Sequence, residues 1–270
     1  MTVDVVIPYS ADYTPRWMLD RLLDDIDSQS IETNCIVVAD EDAKDVAESR
    51  NLGLERAENR YVAFADADDR WTEDKLTRQI ERIRATDASL CMAQTRLEDG
   101  TLNTRPTNDT REFIEDVVFR RTMSFTSSIL VDTDRLNLRF DEDIYRREDH
   151  LYAIEAAASG GVCFVDDPLV TINKHSGGLS REGDPDRSIG SHERIFERAC
   201  NLHPDLRNVE AKYWAMIYHR IGRSYYYDRE YGQSAHYLFT SLRHRPSLKT
   251  AGALGISFIK YCRVLGSTSH

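Results

Sequence analysis

Five cysteines in 270 residues are too few and too scattered to frame the chain. Cys35, Cys91, Cys163, Cys200 and Cys262 are odd in number, lie far apart and never form a CxxC, which excludes a disulfide framework and a zinc knuckle and leaves small buried side chains. No apolar run reaches the roughly 18 residues of a membrane-spanning helix, and Met1-Thr2-Val3-Asp4 lacks the basic stretch that opens a signal peptide. The expected location is therefore the cytoplasm. Positive charge is also in deficit: 35 Lys and Arg stand against 46 Asp and Glu, a net charge of −11. A phosphate-backbone partner requires a basic face, so nucleic acid is excluded. Lysine is scarcest, confined to positions 44, 75, 174, 212, 249 and 260. Abundant aspartate with little lysine is expected of a surface that stays hydrated in concentrated salt, a halophilic signature. The 41% hydrophobic content can fill one large core, or a core plus an appendage, and excludes global disorder.

The first third alternates strand and helix. Val3-Asp4-Val5-Val6-Ile7, ended by Pro8, reads as a strand buried on both faces of a parallel sheet, and Met18, Leu19, Leu22, Leu23 and Ile26 form a helical stripe. Cys35-Ile36-Val37-Val38-Ala39 reads as a second buried strand ending at Asp40. Residues 44–58 read as a helix packing through Val46, Leu52, Leu54 and Ala57, and Tyr61-Val62-Ala63-Phe64-Ala65 as a third strand running into Asp66-Ala67-Asp68-Asp69. That order is the βαβ pattern of a doubly wound sheet. Thr72 is the expected N-cap of the next helix, with Trp71 and Leu76 as its hydrophobic staple. Strands are expected at 89–95, 126–131 and 162–165, a polar connection around 103–110, and a helix from Glu148 to the Ser159-Gly160-Gly161 stop. Residues 173–190 are polar and glycine-rich and read as a mobile loop; from Ser191 to about Leu265 the pattern is helical. Within it Tyr218, Ile221, Gly222, Tyr225, Leu238 and Pro246, with small Ser234 and Ser241, are spaced like one tetratricopeptide-type helix pair. The expected division is 1–190 for the α/β part and 191–270 for the helical extension.

Alternating carboxylates at Asp66 and Asp68, directly after an apolar strand, can hold a hard divalent cation by oxygen while it bridges nucleotide phosphates. The same carboxylates also suit a solvated turn ahead of a helix. Asp40 ends a neighbouring strand and so shares the sheet edge with 66–69. Arg50, in Glu48-Ser49-Arg50-Asn51-Leu52-Gly53, suits a base or a phosphate, or equally a surface ion pair with Glu48 or Glu55.

Val5-Val6-Ile7-Pro8-Tyr9, Ile36-Val37-Val38-Ala39-Asp40, Ser49-Arg50-Asn51-Leu52-Gly53 and Tyr61-Val62-Ala63-Phe64-Ala65-Asp66-Ala67-Asp68-Asp69-Arg70-Trp71, followed by Asp74-Lys75-Leu76, resemble successive blocks of the family 2 glycosyltransferases. The resemblance is dense over 3–80 and returns at Phe140-Asp141-Glu142, Glu148-Asp149 and His175. It implies the GT-A fold: α/β, Rossmann-like, a mainly parallel sheet flanked by helices, here with a C-terminal helical extension. It also implies that Pro8, Tyr9, Asp40, Arg50 and Asp66 surround the base and ribose of a nucleotide-sugar. Asp66 and Asp68 would serve Mn²⁺ or Mg²⁺ as the Asp-x-Asp pair, with His175 reaching the metal from a loop, and Asp149 would be the general base. Two departures touch donor choice: Pro8 is followed at once by Tyr9, Ser10 and Ala11, and Ala39-Asp40-Glu41-Asp42 replaces the family's Asp-Asp-Gly-Ser.

The expectation is a metal-dependent, inverting hexosyltransferase-type enzyme that moves a sugar from a nucleoside-diphosphate donor to a saccharide or lipid-linked saccharide acceptor. One rival is a nucleotidyltransferase, which would carry a glycine-rich phosphate loop that Pro8-Tyr9-Ser10-Ala11-Asp12 does not supply. The other is an inactive scaffold that binds a partner through its C-terminal helices. Residues 251–265, apolar with Lys260 and Arg263, offer either an internally packed helix or a peripheral contact at the inner membrane face.

Overall fold

The computed structural model describes residues 1–39, 45–173 and 184–267. Asp40 and His175, expected at the donor and metal sites, lie outside them. The chain divides into two compact units, Met1–Arg181 with Glu197–His203, and Glu182–Phe196 with Pro204–His270.

The first unit is built on β1 (Thr2–Tyr9), buried from Val3 to Ile7 and flanked on both sides by parallel partners, β2 (Glu32–Ala39) and β3 (Tyr61–Phe64). The other strands are β4 (Arg70–Trp71), β5 (Leu90–Leu97), β6 (Ile129–Asp132) and β7 (Val162–Ile172), giving the order β2-β1-β3-β6-β5-β7-β4. Only β6 and β4 run against the rest, so the sheet is mainly parallel as expected. β2 differs from its expected burial. It is an edge strand, with Ile36 and Val38 inward and Val37 exposed, because successive side chains point to opposite faces of the sheet and the face of Val37 is left open at this edge.

Helices α1 (Arg16–Asp27), α2 (Val46–Arg56), α3 (Lys75–Thr86), α4 (Thr110–Val118) and α5 (Glu148–Gly160) flank the sheet. α1 buries Met18, Leu19, Leu22 and Ile26, the expected stripe. α2 does not pack as expected: capped by Asp45, it buries Ala47, Ser49, Arg50, Asn51 and Gly53, so its inward face is small and polar. A Cβ at Gly53 would stand 2.2 Å from Val6 Cγ1, so the helix approaches β1 more closely than any side chain allows. α3 starts at Lys75 rather than after Thr72. Arg70 and Trp71 zip onto β7, and Gln29, two residues past α1, holds the Thr72 carbonyl (2.7 Å) and the Leu76 amide (3.1 Å), which delays the first helical turn. The expected strand at 126–131 splits into a 3₁₀ turn, Thr126–Ser128, and β6. The expected polar connection ends in α4, whose Asp109 cap on the Glu112 amide and inward Phe113, Ile114 and Val117 are a readable signal in Asp109-x-x-Glu112.

The second unit contains most of α6 (Pro185–Leu202), which starts inside the expected loop, then α7 (Glu210–Tyr227), α8 (Tyr231–His244) and α9 (Leu248–Ser267). α7 and α8 meet through small groups. Ser234 Oγ donates to the Gly222 carbonyl (2.8 Å), Ser241 Oγ to that of Ala215 (2.7 Å), and a Cβ at Gly222 would lie 2.8 Å from Leu238 Cγ. Aromatic stacking extends the seam, with Tyr225 on Tyr237 at 5.5 Å and Tyr218 on His244 at 5.3 Å. Among the described residues no helix is long and apolar enough to cross a membrane.

Candidate active site

The acidic turn follows β3 at the edge where β1 ends in Pro8 and Tyr9, both half-buried. A tight turn, closed by the Asp69 amide on the Asp66 carbonyl at 3.0 Å, leaves Asp66 and Asp68 partly exposed and buries Ala67 and Asp69. Asp69 is held from two sides: Ser127 Oγ donates to it at 2.5 Å and the Asn173 amide at 3.0 Å. Ser127 Oγ in turn accepts the Asp66 amide at 2.9 Å, so one hydroxyl fixes the turn at two points. Burial, then the nearby Asp66 and Asp68 carboxylates, push the Asp69 carboxyl well above the usual carboxylate range. The far side of the turn is anchored by Asp25 of α1, which pairs in two-pronged fashion with Arg70 and accepts the Trp71 amide.

Arg50 is buried, which rules out the surface ion pair with Glu48 or Glu55. Its guanidinium donates to Glu148 Oε1 (2.5 Å), Asp66 Oδ1 (2.8 Å) and Thr126 Oγ1 (3.0 Å) and lies 5.3 Å from the Phe140 ring centre. Thr126 Oγ1 also reaches both Asp66 carboxylate oxygens at 3.0 Å. One cation therefore ties α2, the end of β3 and the first residue of α5 together. Asn51 ties the same helix to 140–142: its amide donates to the Phe140 carbonyl (2.9 Å) and Glu142 (2.8 Å) and accepts the Phe140 amide (2.8 Å). Beneath lies an aromatic floor, Phe140 stacked on Tyr152 at 4.1 Å with Phe64 edge-on to both.

Arg147, in the left-handed region with φ 74°, turns the chain into α5 and sets Glu148 and Asp149 in its first turn. The two neighbours diverge. Burial raises the Glu148 carboxyl despite the opposing pull of Arg50. For Asp149 burial is the largest influence and acts upward, but His150, Arg50 and Arg147 together outweigh it and hold the carboxyl below its ordinary range. Asp149 Oδ1 takes the His150 amide at 2.8 Å and faces His150 Nδ1 at 2.9 Å, while the buried Nε2 of His150 has no hydrogen-bond partner among the described residues.

Of the residues expected at the site, Arg50, Asp66 and Asp149 thus gather about one network, Pro8 and Tyr9 share its sheet edge, and Asp68 stands half-exposed beside Asp66. Sequence reasoning missed Thr126, Ser127 and His150 as holders of carboxylates; Thr122-Met123-Ser124-Phe125-Thr126-Ser127-Ser128 is visibly rich in hydroxyls, but nothing in it names the partners. Among the described residues no cluster of three or more metal-ligating side chains is present. Two adjacent carboxylates are nevertheless the hard-oxygen donor set that Mg²⁺ or Mn²⁺ takes when substrate phosphates complete its shell.

Residues 18–144 match the profile of Glycosyl transferase family 2. TuaG of Bacillus subtilis (strain 168), a glycosyltransferase named for teichuronic acid biosynthesis, is 28% identical over 123 residues, 45% of this chain and 49% of its own. The succinoglycan biosynthesis protein ExoO of Rhizobium meliloti (strain 1021) is 30% identical over 134 residues, 44% of this chain and 38% of its own. The chain thus matches about half or less of the length of these curated relatives. Two solved folds are similar over nearly its whole length. S. aureus TarS, crystallised with UDP-GlcNAc, superposes with a TM-score of 0.61 at 16% identity, covering 96% of this chain and 88% of that one. The mannosyltransferase PcManGT from Pyrobaculum calidifontis, in complex with GDP-Man and Mn²⁺, gives 0.54 at 15%, covering 95% and 79%. By this profile residues 18–144, a little under half of the chain, are similar to the family 2 glycosyltransferases, and the sheet has the GT-A fold of these solved structures.

Proposed function

We propose that the chain transfers a glycosyl group from a nucleoside-diphosphate sugar to a hydroxyl of a saccharide or lipid-linked saccharide, with inversion at the anomeric carbon. The observation that carries this reading is the buried Arg50, which links Asp66 of the acidic turn to Glu148 and so brings Asp149 to the same sheet edge. Asp149 is the proposed base. Held ionised, with Oδ1 engaged by His150, it takes the acceptor hydroxyl proton as that oxygen bonds to the anomeric carbon and the bond to the diphosphate breaks, the leaving oxygen keeping its electron pair. Pro8, Tyr9, Asp40 and Asp66 are assigned to the base and ribose, and Arg50 serves that subsite by fixing Asp66. Asp66 and Asp68, with His175 from outside the described residues, are assigned to Mn²⁺ or Mg²⁺, which when bound neutralises charge on the departing diphosphate. TarS and PcManGT carry donors with different bases, so the fold leaves base and sugar open. A cytoplasmic location and salt adaptation of the acidic surface belong to the same proposal; equal melting curves in low and molar KCl would remove the second.

Donor consumption with added Mn²⁺ is the test, run over UDP-, GDP- and dTDP-sugars. Asp149→Asn is expected to lower turnover by about a thousandfold or more while donor binding by calorimetry persists, and Asp68→Ala to lose the Mn²⁺ dependence. Wild-type turnover in both variants overturns the mechanism. Failure of the wild-type chain to bind any nucleotide favours an interaction scaffold instead.

A further inference from the structure

We propose that α9 is an interfacial helix that seats the chain on an anionic lipid surface. The inference rests on α9 alone and not on the transferase reading. Large apolar groups stand on two sides of this helix. The side facing α7 and α8 mixes Thr250, which meets His219 Nδ1 at 3.0 Å, and wholly buried Ser257, which meets Ser234 at 2.9 Å, with half-buried Leu254 and with Tyr261, whose ring stands 3.0 Å from where a Cβ of Gly232 would lie. The opposite side carries a second apolar set that packs on nothing among the described residues of this unit, with Leu248 93% exposed and Ile256, Phe258 and Ile259 each at least 50%. A helix packed only for its own fold keeps that outer side polar.

At about 100° per residue, Phe258, Leu248, Ile259 and Ile256 follow one another around an arc of roughly 160°, with only alanine, glycine and Cys262 among the apolar positions between them. Arg263 lies at the Ile256 end of this arc, and Lys249 and Lys260 continue beyond it. A cationic fringe along an apolar face is the arrangement in which long side chains reach phosphate headgroups while the apolar groups enter the acyl boundary. The rest of the chain sharpens the choice of partner. All 46 acidic residues precede Tyr231, whereas the last forty residues carry Arg243, Arg245, Lys249, Lys260 and Arg263 and no acid. In a chain of net charge −11 this is the one long stretch that an anionic membrane attracts rather than repels. A second copy fits less well, since a two-fold contact through this arc sets the cationic fringes of the two helices side by side.

The test is flotation of the full chain with vesicles of phosphatidylglycerol and phosphatidylcholine against vesicles of phosphatidylcholine alone, in 0.1 M and 1 M KCl. The chain is expected to float with the anionic vesicles. Ile256→Glu/Ile259→Glu should abolish this, and Lys249→Glu/Lys260→Glu should weaken it by roughly tenfold or more, with a smaller difference in 1 M salt. These positions are exposed, so the fold should survive, and the circular dichroism and melting curve of each variant are the check. A polarity-sensitive dye on the exposed Cys262 should shift to the blue with anionic vesicles. No flotation, flotation unchanged in both variants, or equal flotation on both vesicle types overturns the proposal. So does a dimer that Ile256→Glu/Ile259→Glu dissociates while no vesicle is bound.

Discussion

The carboxyl edge of the sheet and the α7–α8–α9 seam both bury polar atoms, but they differ in what those atoms hold. At the sheet edge the buried groups are charged, one guanidinium between two carboxylates, and long side chains span three separate elements. In the helical unit they are hydroxyls, and each bridges only the gap between neighbouring helices. Desolvating ions costs more free energy than desolvating hydroxyls, and a hydrophobic substitute commonly packs at least as stably as a buried ion pair. The sheet edge is therefore what a site requires and the seam is what packing requires.

Removing one charge should break this contrast most visibly. Arg50→Met leaves Glu148 buried without its cation and Asp66 with only Thr126 as side-chain donor among the described residues, with an expected loss of about 3–5 kcal/mol in urea unfolding. Adding Glu148→Gln should recover part of that loss without recovering activity. If Arg50→Met is neutral, the network is not what fixes the edge.

Close approach is the next contrast, because in each region a glycine lets a helix touch its neighbour. Gly53→Ala places a methyl within 2.2 Å of Val6, and Gly222→Ala within 2.8 Å of Leu238. Both should destabilise by about 1–3 kcal/mol. Val6→Ala should rescue part of the first loss and none of the second, as measured by a double-mutant cycle.

How far each region was legible follows from the same difference. Val3–Ile7 and Tyr61–Asp69 announced strand and acidic turn because a strand buried on both faces has little choice but to be apolar, and the ordered blocks around them carried the family resemblance. α2 was misread in its packing because its inward face is Ser49, Arg50, Asn51 and Gly53, residues that periodicity takes for surface. Thr126 and Ser127 were invisible for a related reason: a hydroxyl's partner sixty residues away is set by the fold and leaves no local pattern. The seam announced itself through Gly222, Ser234 and Ser241 because only small residues fit there, whereas the outward apolar face of α9 could be read from sequence only as one of two alternatives.

Lys75 sharpens the comparison from within the first unit, since it is a buried cation with no carboxylate among its described hydrogen-bond partners. Its Nζ donates to Gln79 (2.8 Å) and lies 3.7 Å from the Trp71 ring centre, and burial pushes its pKa down to about 7. The unfolded chain keeps that proton to about pH 10.4. Between these values the unfolded state binds more protons, so stability rises with pH; below pH 7 both states are protonated and the effect is flat. Against Lys75→Met, wild type should gain on the order of 1 kcal/mol per pH unit from pH 7.5 to 9.5. No relative gain would mean that water or a rearrangement reaches the amine.

The smallest expected effect tests whether the seam is as cheap as its chemistry suggests. Ser234 Oγ donates to the Gly222 carbonyl, which as a mid-helix acceptor keeps its backbone bond when the hydroxyl is removed, and it shares a second contact with Ser257. Ser234→Ala therefore strands only the Ser257 hydroxyl, at about 1 kcal/mol, and Ser257→Ala should cost a similar amount. The double variant should cost little more than either alone, because two alanines facing each other leave nothing unsatisfied, so the cycle should return a coupling of about 0.5–1 kcal/mol. Losses that simply add would show that the two hydroxyls act through separate partners. A coupling as large as that of Arg50 with Glu148 would erase the distinction between the two regions, since a pair of neutral hydroxyls would then hold α9 as firmly as the buried ions hold the sheet edge.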